Sequence, residues 1–415
     1  MQLMIVIVSA SLWLWTAQQA SGADSQVSGA RYDLAALLAL ALERHPALAV
    51  GEADVEASRG RLLGAQAYPN PELTIGAGPG RALEGAPNRG TEVGARVSQP
   101  LEWMPTRSAR IRAAEQAIAA QTFVRQDAAL RLTANVTSAF YDLLGAQRER
   151  ALAAQMLDTV EQLAATARKR VAAGESPKFE QVKAEVEWQR AVKERERADS
   201  RVAQARSTLE AAVGQDLGRD FDAQGEFPDS RAEPSLETLL ERALRQHPMI
   251  RASERTEAQR TALLESARSS RVPDLSLFGS AEREIDRESY RVGLSVPLPL
   301  WSQRQGEIAE AAAGVRRAEA EAQQARLELT KALTQAFEQF RMASGQVDLF
   351  RHGLLRQAEE AAAIAQKSYQ VGELSLLELL DAQRVAFQTT REFCQAQVAQ
   401  AVALAMLDRL TGGRP

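Results

Sequence analysis

"LERHPAL" at Leu42–Leu48 returns as "LRQHPMI" at Leu244–Ile250. The chain of 415 residues has three histidines, and two of them stand in this phrase, about 200 positions apart. A metal pair, a catalytic pair and an internal duplication would each leave such a trace. The flanks decide among them. Asp33 heads "DLAALLALALERHPAL" and Ser235 heads "SLETLLERALRQHPMI". Both are good N-cap residues, placed where a helix should start. In both copies the proline disfavours helical geometry at the preceding histidine and breaks the helix there. His45, Pro46, His247 and Pro248 therefore read as paired helix breaks. A metal site needs three or four ligands, and no Cys/His cluster accompanies these histidines.

The correspondence continues outward. Pro71-Glu72-Leu73 pairs with Pro273-Asp274-Leu275, and "VGARVSQPL" at Val93–Leu101 echoes "VGLSVPLPL" at Val292–Leu300. "LRLTANVTSAF" at Leu130–Phe140 echoes "LELTKALTQAF" at Leu327–Phe337, and "AGESPKFE" at Ala173–Glu180 echoes "VGELSLLE" at Val371–Glu378. The offset drifts from 202 to 197 and ends at 198. The chain is therefore two structural repeats, over 24–222 and 223–415.

Each repeat has one plan: a short helix to the His-Pro break, a second helix, two short alternating segments, a very long helix and a return helix. Apolar and polar residues alternate in Leu73-Thr74-Ile75 and Tyr290-Arg291-Val292-Gly293-Leu294, the period of a two-faced strand. Hairpins are expected at about 72–99 and 274–297. Long helices are expected at about 103–172 and 303–371. A walk in steps of four and three from Ile308 to Val371 lands on apolar residues at fifteen of nineteen positions. A 3.5-residue repeat held this long is the mark of a coiled coil. Gly174 and Gly372 end these helices, and return helices are expected over 177–213 and 375–410, with Pro177 in a first turn.

Composition agrees and excludes. Aromatics are 5% of the chain, and an Ala/Glu/Arg-rich sequence favours long packed helices. A net charge of −4 lacks the basic footprint of a nucleic-acid binder. The lone Cys394 allows no disulfide within the chain and reads as a buried hydrophobe. No nucleophile–base motif or phosphate loop is present, and no cofactor or metal site is expected. The stretch 1–23 reads as a cleaved export signal, although no Lys or Arg precedes its apolar run. No later apolar run reaches 18 residues, so no membrane-spanning helix is expected after it.

Four strands cannot span a bilayer alone, since their edges would leave backbone groups unpaired in lipid. One apolar face and one face of Ser, Thr, Gly and Arg suit a barrel wall between lipid and water. Closure demands several chains, and three would give twelve strands. Tyr68, Trp103, Tyr290 and Trp301 stand near the strand ends, where two readings are open: an interfacial belt or a plain packing role.

With these features together, the chain resembles the TolC-like outer-membrane efflux ducts over essentially its whole mature length. "RVAAGESPKFEQVKAEV" and "SYQVGELSLLELLDAQ" resemble that family's helix-tip turns. "YRVGLSVPLPLWSQRQGEIAEA" resembles the branch serving cobalt–zinc–cadmium efflux. The resemblance implies a mainly α fold with transmembrane β. Its duplicated half-repeats each carry one β-hairpin and long coiled-coil helices, and a homotrimer forms a 12-stranded β-barrel and an α-helical periplasmic barrel. It implies a passive duct, not an enzyme, carrying heavy-metal cations out of a Gram-negative cell. The implied partners are outer-membrane lipid, a periplasmic adaptor and an inner-membrane RND pump; no nucleic acid takes part. Carried over residue by residue, Gly174, Glu175, Gly372 and Glu373 match the tip that meets the adaptor. Glu180, Lys183, Glu378 and Asp381 match aperture positions. Lys183 stands where the second repeat has Asp381, so that ring is mixed in sign. Leu374 stands where some ducts carry a gate arginine, which puts a salt-bridged gate in doubt. Drug or dye efflux and type I secretion are the rivals within the fold; a periplasmic coiled-coil adaptor is the rival outside it.

Overall fold

The computed structural model describes residues 30–81, 89–229 and 235–413. The expected export signal lies outside them. Strand β1 (Ala30–Tyr32) leads into α1 (Leu34–Arg44) and α2 (Pro46–Gln66). Strands β2 (Glu72–Arg81) and β3 (Arg89–Leu101) form the first hairpin, followed by α3 (Met104–Ala172) and α4 (Lys178–Val213). After β4 (Phe221–Ala223), the plan repeats as α5 (Leu236–Gln246), α6 (Pro248–Ser269), β5 (Leu275–Arg283) and β6 (Glu288–Ser295). The second long helix is α7 (Gln305–Leu349), a π-helical turn at Phe350–Leu354 and α8 (Leu355–Gln370); α9 (Leu376–Leu410) returns.

The His-Pro phrase is a double cap. The backbone N–H of His45 closes α1 by donating to the Ala41 carbonyl at 3.0 Å, while its Nδ1 accepts from the N–H of Ala47 at 3.1 Å and opens α2. His247 does the same between α5 and α6, donating to Ala243 and accepting from Met249 at 3.2 Å. Each proline occupies the first turn, where no N–H is needed. Asp33 and Ser235 cap α1 and α5 as expected. The return helix of each half ends on a left-handed glycine beside the same break. A Cβ on Gly214 would come within 2.7 Å of the His45 ring, so the close approach itself requires glycine.

Helix α3 spans about 100 Å at 1.5 Å per residue. It packs on α2 and α6 along one stretch and on α4 and α9 along the other, so one continuous helix lies beside shorter helices stacked end to end. Small residues in the seams, such as Ala184, Ala191 and Ala198 at heptad spacing, are buried and let the helices approach closely. Around each His-Pro break lies an apolar core. Leu37, Ala41, Val136, Phe140, Leu209 and Phe221 build the first. Ala243, Ile250, Leu329, Leu333, Phe340 and Leu407 build the second. A third cluster near the tip joins the halves through Leu163, Ala164, Ala167, Leu376, Leu379 and Leu380.

Four departures from the sequence expectations have physical reasons. Strands β1 and β4 pair in parallel, Tyr32 opposite Ala223, and are too short at three residues to show a period. Pro177 stands at the N-cap of α4 in extended geometry, one residue before the helix. The second long helix contains a π turn. The repeat offset is 197 at Phe337 and 198 at Gly372, which places one extra residue between them, and a π turn absorbs one extra residue without rotating the helical turns beyond it. Finally, Leu34–Gln66 contains a window apolar enough for a membrane-spanning helix, mean hydropathy 1.4. It is two helices broken at His45, and α1 buries Leu37 and Ala41 in the first core.

Candidate functional site: the barrel sheet and the helical tip

The two hairpins lie in one antiparallel sheet in the order β2-β3-β5-β6. Register separates its faces. Leu73 faces Val97, Ile75 faces Ala95, Leu277 faces Leu294 and Gly279 faces Val292. On the other face Thr74 meets Arg96, Gly76 meets Gly94 and Ser280 meets Arg291. The first face is apolar yet exposed at Leu73, Ile75, Val93, Val97, Leu277, Val292 and Leu294. An apolar sheet face left uncovered by the chain's own helices requires a nonaqueous neighbour. The second face is polar and glycine-rich, with Arg291 paired to Glu282 at 2.8 Å and the Arg96 guanidinium 4.2 Å from the centre of the Phe278 ring. Tyr68, Trp103, Tyr290 and Trp301 are all exposed at the ends of this sheet.

The sheet is fastened to the helices. Arg110 of α3 pairs with Glu102, just past β3, and donates to the Ala65 carbonyl near the end of α2 at 3.0 Å. The N–H of Trp103 donates to Asp274 at 3.1 Å, which ties the first hairpin exit to the second hairpin entrance.

At the far end both helix pairs reverse through the same motif. Gly174 has φ +78° and Gly372 φ +83°. The N–H of Glu175 donates to the Arg170 carbonyl at 2.9 Å and that of Gly174 to Val171 at 3.0 Å. The N–H of Glu373 donates to Ser368 at 2.8 Å and that of Gly372 to Tyr369 at 3.2 Å. These paired bonds are the left-handed C-terminal cap that favours glycine. Glu175 and Glu373 are thus held side by side with the reversal, exposed to solvent. Arg170 of the first tip donates to the Tyr369 hydroxyl of the second at 3.4 Å.

The four acid and base positions differ in their surroundings. Glu378 is engaged in a capping box: its carboxylate accepts from the Ser375 N–H at 2.9 Å and from the Ser375 hydroxyl at 2.8 Å. Those bonds hold its carboxyl below the usual range, so it stays ionised. Asp381 pairs with Arg384 one turn on. Lys183 lies 3.7 Å from Glu187. Glu180 is half-buried in the first turn of α4. The structure brings all four to the two tip-proximal turns of α4 and α9, whereas the helix breaks His45 and His247 lie in the two cores. The capping role of Glu378 was open to sequence inspection in the spacing Ser375-Leu376-Leu377-Glu378; the Arg170–Tyr369 contact was not, because it joins positions 199 apart. Among the described residues, no group of three His, Cys, Asp or Glu is placed to hold a metal ion.

The outer membrane efflux protein family matches residues 37–215 and again 239–413. The cobalt-zinc-cadmium resistance protein CzcC of Cupriavidus metallidurans is 30% identical over 385 residues, covering 91% of this chain and 90% of that protein. The crystal structure of the Campylobacter jejuni outer membrane channel CmeC superposes with a TM-score of 0.78 at 17% identity, covering 92% of this chain and 85% of that one. A crystal structure of CusC superposes with a TM-score of 0.77 at 19% identity, covering 92% of each chain. An apolar sheet face, a polar sheet face and paired helical reversals are what a conduit through lipid and across a periplasm requires. The chain belongs to the outer membrane efflux protein family: it is a non-enzymatic channel of a tripartite pump, set in the Gram-negative outer membrane with a helical extension into the periplasm.

Proposed function

We propose that the chain is the homotrimeric outer-membrane duct of a pump that expels divalent heavy-metal cations. The observation that carries the substrate is the 30% identity to CzcC across 91% of this chain. Gly174, Glu175, Gly372 and Glu373 form the tip that meets a periplasmic adaptor, which an inner-membrane RND pump feeds. Glu180, Lys183, Glu378 and Asp381 approach the threefold axis as rings at the aperture. What supports this reading is their placement in the first two turns of α4 and α9, beside the reversals. A ring of ionised carboxylates attracts cations entering a narrow pore. Metal discrimination belongs to the partner pump, because among the described residues no ligand cluster is present to select a metal.

The test is deletion of the gene in its native bacterium, then growth on zinc, cobalt and cadmium beside a dye and a detergent. Sensitivity to the metals alone, restored by the gene, is the expected result. Sensitivity to the dye and detergent alone would overturn the substrate while leaving the duct in place.

A further inference from the structure

The charged residues on the otherwise apolar face of the sheet are Arg81, Arg89, Arg283 and Glu288, which share the parity of Leu73, Val93, Leu277 and Val292. They stand at the hairpin turns, and the repeat makes the two turns comparable. With the offsets of 202 and 199 that align the flanking strands, Arg81 corresponds to Arg283 and Arg89 to Glu288. In the second hairpin Arg283 lies opposite Glu288, and the two form an ion pair at 3.4 Å. Arg287 and Glu284 pair in the turn itself at 3.2 Å. In the first hairpin Arg81 lies opposite Arg89, and both are exposed. Like charges directly opposed across a strand pair destabilise it. Among the described residues, the ion pairs at this end of the sheet are Arg283–Glu288, Arg287–Glu284 and Arg291–Glu282, and none includes Arg81 or Arg89. The stretch "RALEGAPNR" from Arg81 to Arg89 keeps a net charge of +1. A position neutralised from within the chain in one half is left for an outside anion in the other.

The geometry points to a clamp in which Arg81 and Arg89 together hold a phosphate of the phosphorylated glycolipid that forms the outer leaflet of the membrane. Height selects this anion. Strand β3 has 13 residues from Arg89 to Leu101. At about 3.4 Å per residue and a tilt of about 35–45°, Arg89 stands about 30 Å above Leu101, close to the thickness of a bilayer's hydrocarbon core. The helices leave from the Leu101 end, where α3 starts at Met104, so the arginine end is the outer one. Arginine on the lipid side of a barrel is costly at the midplane and nearly free at an interface, and this pair is at the interface. Facing selects it too: both side chains are on the face turned to lipid, away from the polar face that lines the water path. Opposed residues of an antiparallel pair lie about 4.5–5.5 Å apart at Cα, so two guanidinium forks can close on one phosphate, a group they match bidentately. The clamp rests on the outer-membrane placement of the sheet and not on the identity of the exported substrate.

Lipid titration tests the clamp. The full protein is purified from outer membranes, stripped of lipid in detergent and titrated under native mass measurement with lipid A carrying two phosphates, and separately with the same lipid after both phosphates are removed. One arginine at a charged membrane surface is worth about five-fold in affinity, so the pair is worth about 25-fold. The wild type is expected to bind the phosphorylated lipid at least about ten-fold tighter than the stripped one. The double variant Arg81→Gln with Arg89→Gln should lose that preference. Arg89→Glu copies the neutral pair of the second hairpin; it should lose the preference as well and raise the thermal midpoint of the lipid-free protein, which separates a lost site from a damaged fold. Arg283→Gln with Glu288→Gln should leave lipid binding unchanged. Equal binding of the two lipids by the wild type overturns the clamp, as does an undiminished preference in Arg89→Glu. Displacement of the lipid by millimolar inorganic phosphate overturns the lipid as the source of the anion.

Discussion

At the scale of single residues, the same side chains serve different ends in the two halves. His45 is half-buried, and His247 is 2% exposed with Nε2 4.0 Å from Asp127 of α3, whose other oxygen pairs with Arg131 at 2.5 Å. Burial lowers the pKa of His247; the Asp127 carboxylate and a hydrogen bond to the Arg409 backbone oppose the shift without cancelling it, while the positive charges of Arg409 and Arg131 add to it. A histidine whose folded pKa is depressed contributes stability that is full above the unfolded value, about 6.5. That stability falls as pH drops below it and levels off once the folded imidazole protonates. Urea unfolding of the wild type should therefore weaken by up to about 1.4 kcal/mol per pH unit below pH 6.5. His247→Asn keeps an N-cap acceptor and should flatten that dependence; an unchanged slope would contradict the assignment. At the tip, a Cβ on Gly372 meets nothing within 4 Å, so the φ of +83° alone requires glycine. Gly372→Ala should cost about 1–2 kcal/mol of local stability, read as faster hydrogen exchange at Glu373 and Leu374, and Gly372→Asn should cost less.

At the scale of elements, the π turn at Phe350–Leu354 stands for one inserted residue. Deleting Gly353 should return the helix to an uninterrupted α form and leave Ala358, Ala362 and Ala365 facing α9, with little change in thermal midpoint. Deleting Ala154 from the uninterrupted α3 should rotate everything after it by about 100° and carry Val160, Leu163 and Ala167 out of their buried seam. Circular dichroism melts and outer-membrane yield distinguish the two; equal damage from both deletions would refute the insertion account. The insertion was already legible in the sequence as the drift of the offset from 197 to 198, but drift alone does not say whether a loop or a helix absorbs it. The hairpins and long helices were legible because a period of two and a period of 3.5 persist over enough residues to exceed chance. Strands β1 and β4 were not, since three residues carry no period and their pairing joins positions about 190 apart. The double-capping imidazoles were hidden for another reason: histidine is an uncommon N-cap, and the proline beside it already explained the break.

At the scale of the whole molecule, the exposed apolar face of the sheet and its polar opposite make sense only with lipid on one side and water on the other. Duplication made the tube legible from the sequence, because a fold repeated twice in one chain continues naturally into the next chain. The aperture was legible only as far as family placement carried it: Glu378 turned out to hold the start of α9, and Asp381 to pair with Arg384. If Asp381 attracts cations at the aperture, Asp381→Asn should lower metal resistance several-fold without altering trimer yield. Loss of trimer instead would assign the residue to folding.

The most direct measurement of the central claim is a cysteine walk from Tyr290 through Ser295, with each thiol probed twice in native outer membranes: by a fluorophore quenched by lipid-borne nitroxide, and by a water-soluble maleimide. The account predicts strict alternation, with Tyr290, Val292 and Leu294 quenched from the lipid and Arg291, Gly293 and Ser295 labelled from water. Uniform labelling of all six from water would contradict it, because the sheet would then not lie in the membrane.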